Sequence, residues 1–222
     1  MRSFELTAQI ERLTASGIGR IQGISDEVYR NIWPKTAEMP AKHEERFDRA
    51  LIVDAFPLYP MYNAVDHGDR RVTLPVRLLP LRGRGKPTAF AFGREDEPAL
   101  APLEHRQHAH LLRYVIFWQA GERWKGSSPN AMRTRFDPDE CGLRLNEGLH
   151  LALQEEELLK KRRLPLSDRM NAHGETHFVQ WDGLTPSFTF SYGMFAELEG
   201  VPSRAREVIP VSTEDQDFFL KE

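Results

Sequence analysis

The sequence predicts an α+β fold in a single domain, with a mainly antiparallel or mixed central sheet, helices on one face and an N-terminal helical pair. Helical and strand-like segments do not alternate regularly, which disfavours a doubly wound parallel sheet. No Gly/Ser/Pro-rich linker separates two apolar regions, and 222 residues suit one large domain. We therefore divide the chain into an N-terminal helical cap (1–34), a sheet-and-helix core (50–192) and a C-terminal extension (193–222).

The N-terminal cap is predicted to contain two short helices joined by a glycine-rich turn. The first spans 4–16 and ends at Gly17, since apolar residues recur there at helical spacing. The second starts after Ser25, a good N-cap, and ends before Pro34. The predicted buried faces are Leu6, Ile10 and Leu13 in the first helix, and Ile24, Val28 and Ile32 in the second. Residues 35–48 are polar and show no periodicity.

Strands are predicted wherever short apolar, β-branched or aromatic runs end at turn residues. The clearest are 50–56, 111–118 and a hairpin that joins 176–181 to 187–192. Weaker candidates are 72–79, which contains Pro75, together with 88–92, 123–125 and 207–209.

Two more helices are predicted in the second half of the chain. One follows Ser128 as N-cap, with Pro129 at its first position, and runs to about residue 136. The other follows Asn146 and runs from Glu147 to about Lys161. We expect Leu149, Leu153 and Leu158 to face the core.

Composition limits the class of protein and its partners. The formal charge of -3 and pI of about 6.3 do not suggest a nucleic-acid partner. No apolar run approaches the ~20 residues of a membrane span, so we expect no membrane partner. One cysteine, Cys141, fits a reducing compartment, and we expect a bacterial cytoplasmic protein. Acidic neighbours should raise the pKa of the Cys141 thiol and keep it unreactive.

The predicted binding segment runs from Pro57 to Asp69, just after the apolar strand 50–56. Loops that follow rigid strands often carry function, and prolines stiffen this one. Large aromatic and sulfur-containing side chains offer contact area, and neighbouring polar groups offer recognition. The candidate residues for a ligand or partner are Tyr59, Met61, Tyr62, Asp66 and His67, helped by Arg82 and Arg84. The alternative is that the aromatic residues simply cover the sheet.

Two histidine-rich segments contain possible metal ligands, but both are predicted to bind no metal. His105, His108 and His110 are irregularly spaced and match no zinc signature. The segment 173–177, His-Gly-Glu-Thr-His, has the wrong order for a metalloprotease helix. We expect no metal and no cofactor.

Asp54 interrupts an apolar strand and has two possible explanations. It is paired with a buried arginine, which the many arginines favour, or it forms an acid/base set with His67 or Asp69. The cations of 160–163 end a helix and complement its dipole, so they require no ligand. No combination of residues identifies a reaction, so whether the chain is an enzyme stays open. We expect a binding or interaction module without catalysis, with an unknown protein or small-molecule partner. The alternative is a small-molecule enzyme that uses acid/base or metal-assisted chemistry.

Three segments resemble an uncharacterised bacterial protein family of unknown function. They are the opening helix with Phe4, Gln9, Leu13, Gly17, Gly23 and Ser25; the segment Tyr114 to Met132 with Gly121, Pro129 and Ala131; and Leu145-Asn146-Glu147-Gly148-Leu149. Met-Asn-Ala-His at 170–173 stands where that family has a small-residue stretch. The resemblance implies a one-domain α+β fold and carries over no catalytic residue.

Overall fold

A computed structural model describes residues 1–21, 23–54, 113–170, 176–181, 186–191 and 200–211. The predicted α+β class is confirmed, with short helices and antiparallel strands. The strands of the described residues form a two-stranded, a five-stranded and a three-stranded sheet. No helix of the described residues is long and apolar enough to cross a membrane.

The N-terminal region contains three short helices, and the two strands that precede and follow them in the chain pair as a small sheet. Strand β1 (Ser3–Glu5) pairs with β2 (Thr36–Glu38), so the first residues of the predicted helix 4–16 are extended instead. Helix α1 (Thr7–Ser16) ends at Gly17, as predicted. The φ of 81° places Gly17 in the left-handed conformation. Helices α2 (Ile18–Ile21) and α3 (Asp26–Asn31) follow, and a 3₁₀ turn covers Ala41–His43.

Helix α3 begins at its predicted cap but buries a different face. The Ser25 hydroxyl accepts a hydrogen bond from the Val28 amide at 3.2 Å. Val28 is 44% exposed, so its predicted burial is wrong, and Tyr29 is fully buried in its place. The aromatic rings of Tyr29 and Trp33 pack edge to face in the core, and this packing sets the rotation of the helix.

The five-stranded sheet is built around one long antiparallel pair. Strand β3 (Arg49–Asp54) pairs along its whole length with β4 (Arg113–Gln119). The other edge of β4 takes β9 (Ser203–Ala205) and β10 (Ile209–Pro210), and β5 (Glu140–Gly142) lies beyond β9. Of the predicted strand at 207–209, only Ile209 lies in a strand, because Glu207 and Val208 belong to the turn between β9 and β10.

The remaining elements pack along this sheet. Helix α4 (Pro129–Met132) is a single turn capped by Ser128, shorter than the predicted 128–136. Helices α5 (Leu145–Gln154) and α6 (Glu156–Leu159) break at Glu155, where one continuous helix was predicted. Strands β6 (Leu164–Met170), β7 (Thr176–Trp181) and β8 (Pro186–Ser191) form the third sheet. The predicted hairpin β7–β8 is confirmed, whereas strand β6 was not predicted from the sequence.

Two local predictions in this part are wrong for physical reasons. Residues 123–125 do not form a strand, since Gly121 at φ 105° turns the chain into a 3₁₀ turn at Glu122–Trp124. Asn146 is not the cap of α5; the Glu147 carboxylate accepts a hydrogen bond from the Arg144 amide at 2.7 Å, and the helix starts two residues earlier than predicted, at Leu145. Leu158 is only half-buried, and the side chains of Leu149 and Leu153 lie outside the described residues.

The sheet separates two apolar layers. The N-terminal helices pack on the face that carries Ala50, Ile52, Val115 and Phe117. The opposite face carries the alternate residues of the same strands, and its apolar members Leu51, Val53, Ile116 and Trp118 are also buried. Both layers are buried, which explains why β3 and β4 are nearly continuous apolar runs in the sequence.

Side chains from two helices close the outer edge of β3. Gln9 of α1 donates to the Ala50 carbonyl at 2.7 Å and accepts from the Ile52 amide at 2.9 Å. Gln154 of α5 donates to the Ile52 carbonyl at 2.9 Å. His150 of α5 accepts from the Asp54 amide at 2.9 Å. These groups take the place of a further strand and satisfy an edge that would otherwise template aggregation.

Candidate functional site

The binding residues predicted from the sequence all lie outside the described residues: Tyr59, Met61, Tyr62, Asp66, His67, Arg82 and Arg84. The same holds for Asp69, His105, His108, His110 and His173, and for the predicted strands 72–79 and 88–92. Predictions for them stay predictions. Among the described residues, the candidate closest in sequence to the predicted binding segment is Asp54, the last residue of β3.

Asp54 is buried, and among the described residues two side chains hold its carboxylate. Its strand partner Arg113 places Nε 3.5 Å from Oδ1. Tyr29 of α3 donates its hydroxyl to Oδ2 at 3.0 Å. Burial, and then the charge of Asp54, raise the pKa of Tyr29 well above its ordinary value, so the phenol stays protonated and donates. The predicted pairing of Asp54 with a buried arginine is confirmed.

His150 connects this acid to helix α5. Its Nε2 accepts the Asp54 amide hydrogen bond at 2.9 Å and therefore carries no proton. His150 is 3% exposed. The chain is thus fixed at the point where β3 ends, through both the side chain and the backbone of Asp54.

A second buried ion pair lies on the other face of the sheet. Glu147 of α5 places Oε1 2.8 Å from Arg204 Nε of β9, and both side chains are almost completely buried. Tyr114 of β4 donates its hydroxyl to the same carboxylate oxygen at 3.3 Å. Burial is the largest single effect and opposes the charge of Arg204, but the Glu147 carboxylate together with Cys141, Tyr114 and Asp168 outweighs it and raises the pKa of the guanidinium.

These clusters contain the groups that acid/base catalysis uses: carboxylates, phenols and an imidazole. Each carboxylate nevertheless faces an arginine and accepts hydrogen bonds from the protein, an arrangement that also serves as a buried structural ion pair. Sequence analysis missed Glu147, His150 and Arg204. The signal for the first two was a polar stripe on α5, residues 147, 150 and 154, at helical spacing.

Cys141 lies in β5 and is buried. Burial is the main cause that raises the pKa of its thiol, ahead of the neighbouring charges. The predicted direction of the pKa is therefore confirmed, with burial and not the acids as its main cause.

A charged network joins the N-terminal region to the strands that follow. Arg46 contacts Asp137 at 3.1 Å and Asp139 at 2.7 Å through Nη1. The hydrogen bond from Arg46 lowers the pKa of Asp139 to about 2. His43 is fully buried beside this pair, with Nδ1 3.5 Å from Asp139 and Nε2 3.8 Å from Glu207.

Two arginines flank Asp168 of β6. Arg144 places Nε 3.3 Å from the Asp168 carboxylate. Arg133, directly after α4, is half-buried, and its Nε and Nη2 are buried with no hydrogen-bond acceptor in the part of the chain that is described. Burial lowers the pKa of Arg133 to about 10, although Asp168 opposes the shift. Among the described residues, no hydrogen bond or ion pair reaches this edge of the Arg133 guanidinium.

Three of the four cations that follow α6 have protein partners. Lys160 pairs with Glu157 at 2.8 Å, and Arg162 pairs with Glu122 at 3.0 Å. Arg163 lies over the ring of Phe178, 5.8 Å from its centroid.

Among the described residues, no group of three or more His, Cys, Asp or Glu side chains could hold a metal ion. No protein-family model, curated protein or solved structure matches the chain. The resemblance to an uncharacterised bacterial family stays a prediction.

Proposed function

We propose that the protein is a binding or interaction module without catalysis, which engages its partner through the segment 57–69 with Arg82 or Arg84. One observation supports this: Asp54, three residues before Pro57, is held by Tyr29, Arg113 and His150. A binding segment that leaves a fixed strand end loses less conformational entropy when it binds. The composition supports a bacterial cytoplasmic setting for this role.

The test compares two paired substitutions in the full chain. Y59A/Y62A removes both aromatic rings, while Y59F/Y62F keeps the rings and removes only the hydroxyls. Wild type and both variants are screened by thermal shift against a library of small molecules, and hits are measured by calorimetry. We expect the alanine pair to lose binding, the phenylalanine pair to keep most of it, and all three proteins to unfold at similar temperatures.

Two results would refute the proposal. One is that every hit binds wild type and Y59A/Y62A with the same affinity. The other is unfolding of Y59A/Y62A, which would assign Tyr59 and Tyr62 to the core instead.

A small-molecule enzyme with acid/base chemistry is the second candidate. It is favoured by the meeting of a phenol, a carboxylate and an imidazole at Tyr29, Asp54 and His150. Incubation with the same library followed by mass spectrometry tests it. Turnover that is lost in Asp54→Asn and kept in Tyr59→Ala would support the enzyme over the binding module.

A further inference from the structure

The guanidinium of Arg133 has an unused hydrogen-bonding edge. Its Nε and Nη2 are both buried and find no acceptor among the described residues. A buried donor without a partner is destabilising, and more so when it is charged. Such a group calls for a partner that supplies acceptors, and an arginine has no acceptor capacity of its own.

The two unused atoms belong to the same edge of the guanidinium. Nε–H and Nη2–H point in parallel, and this fork matches the two oxygens of a carboxylate. The chain contains the same arrangement with its partner in place. Arg20 donates from Nε to Asp26 Oδ1 at 2.9 Å and from Nη2 to Oδ2 at 2.6 Å. Arg133 presents the fork that Arg20 uses, without the carboxylate.

The surrounding charges favour an anion with a single negative charge. Arg133 and Arg144 each carry a positive charge, and Asp168 carries a negative charge that lies 3.3 Å from Arg144. Among these described groups one positive charge is left, which a carboxylate balances. A phosphate monoester carries about −1.5 to −2 at pH 7 and would leave an excess of negative charge beside Asp168.

The location is held in place by short-range structure. The Ser128 hydroxyl caps α4 through the Ala131 amide at 3.2 Å, and Arg133 directly follows this helix. The Asp168 amide donates to the Leu143 carbonyl at 3.2 Å, which ties β6 to the residue before Arg144. Arg133, Arg144 and Asp168 therefore come from segments that are already positioned without a ligand.

We propose that Arg133 is the core of a binding site for the carboxylate group of a small molecule, with Arg144 and Asp168 setting its charge preference. The site is separate from the segment 57–69 and does not depend on the function proposed for it.

The test follows the Nε–H resonances of the arginines in the full-length chain, labelled with ¹⁵N, during titration with sodium acetate. Sodium chloride and inorganic phosphate are titrated in parallel. We expect a saturable shift of the Arg133 resonance with acetate, a weaker response to phosphate and none to chloride beyond the effect of ionic strength. Arg133→Lys keeps the charge and loses the fork, so acetate should bind it about tenfold more weakly or worse. Arg135→Lys, at an exposed position two residues away, should bind acetate like wild type.

Three outcomes would overturn the inference: no saturable shift at Arg133, tighter binding of phosphate than of acetate, or equal acetate affinity in Arg133→Lys. If Arg133→Lys does not fold, the comparison of acetate with phosphate and chloride on the wild-type chain still decides between these outcomes.

Discussion

At the scale of single residues, buried charges and close backbone contacts carry most of the specificity of this fold. Asp54 and Arg113 form a cross-strand pair at the end of β3, and both are almost completely buried. A buried ion pair adds little net stability, but removing one member leaves the other charged and unpaired.

Asp54→Ala is therefore expected to destabilise the protein by about 3–5 kcal/mol. The exposed pair of Arg20 and Asp26 provides the control, since solvent screens it. Asp26→Ala should have a much smaller effect in the same urea denaturation experiment. Equal losses in the two variants would contradict the structural role given to Asp54.

Gly200 and Gly126 separate two costs that a glycine substitution can have. Both have positive φ, 78° and 79°, so alanine at either position is strained by about 1 kcal/mol. A Cβ at Gly200 would lie 2.1 Å from the Gly121 carbonyl oxygen, whereas Gly126 has no atom within 4 Å of that position.

Gly200→Ala should cost about 1–3 kcal/mol more than Gly126→Ala, because backbone must move to make room. Thermal and chemical unfolding of the two variants measure the difference. If Gly126→Ala were as damaging as Gly200→Ala, strain in φ alone would explain both.

His43 predicts a dependence of stability on pH. Burial is the main cause that lowers its pKa; Asp139 and Glu207 oppose the shift, while Lys42 and Arg46 add to it. The unfolded chain, with a histidine pKa of about 6.5, then binds the proton first. The free energy of unfolding should fall as the pH drops below about 6.5, until the pH passes the lower pKa of the folded protein.

His43→Leu should remove this part of the pH dependence. It should leave the losses at more acidic pH, where Asp139, with its pKa of about 2, becomes protonated. Urea denaturation between pH 7.5 and about 5 tests this, because that range spans the ordinary histidine pKa. An unchanged slope in His43→Leu would assign the pH dependence to other groups.

At the scale of elements, helices α1 and α5 complete the sheet by hydrogen bonding to the edge of β3. One glutamine, Gln9, serves both a carbonyl and an amide of that edge, at Ala50 and Ile52. This explains the position of α1 better than its apolar face alone, since three apolar residues would permit several registers along the sheet.

Gln9→Met, which keeps the size of the side chain and removes both hydrogen bonds, should cost about 1–3 kcal/mol. Gln9→Glu keeps the acceptor for the Ile52 amide and serves as the matched control. Hydrogen exchange should show faster exchange of the Ile52 amide in Gln9→Met than in Gln9→Glu. Equal protection in both would mean that the side chain does not close the edge.

At the level of the whole chain, residues 55–112 connect two residues that are cross-strand neighbours, Asp54 and Arg113. Asp54 and Arg113 are directly opposite each other, at the end of the unbroken pairing between β3 and β4. Two ends that lie this close can be joined by a short turn.

A chain in which a short Asn-Gly-containing turn replaces residues 55–112 should therefore keep the fold of the described part. Circular dichroism and the dispersion of amide resonances measure this. Loss of cooperative unfolding in the shortened chain would place part of the core within 55–112 and contradict the expectation. A folded product would also separate the scaffold from the segment proposed to bind a partner.

Features that depend on short-range chemistry can be predicted from the amino-acid sequence alone. The fold class, strands β3 and β4, the hairpin β7–β8, and the helix boundaries at Gly17, Ser25 and Ser128 follow from periodicity and capping within a few residues. The pairing of Asp54 with an arginine also followed, because a lone acid in an apolar strand needs a partner. Which arginine it was could not follow.

Contacts between distant segments could not be predicted in this way and became known from the folded structure. Strand β2 has no periodicity and exists because β1 pairs with it, and β6 contains Pro165, which an edge strand tolerates. The contact of Glu147 with Arg204, and the unused edge of Arg133, depend on packing between segments that are far apart in sequence. Periodicity and capping report the environment of a residue within one element, whereas the partner of a buried charge is set by how the elements assemble.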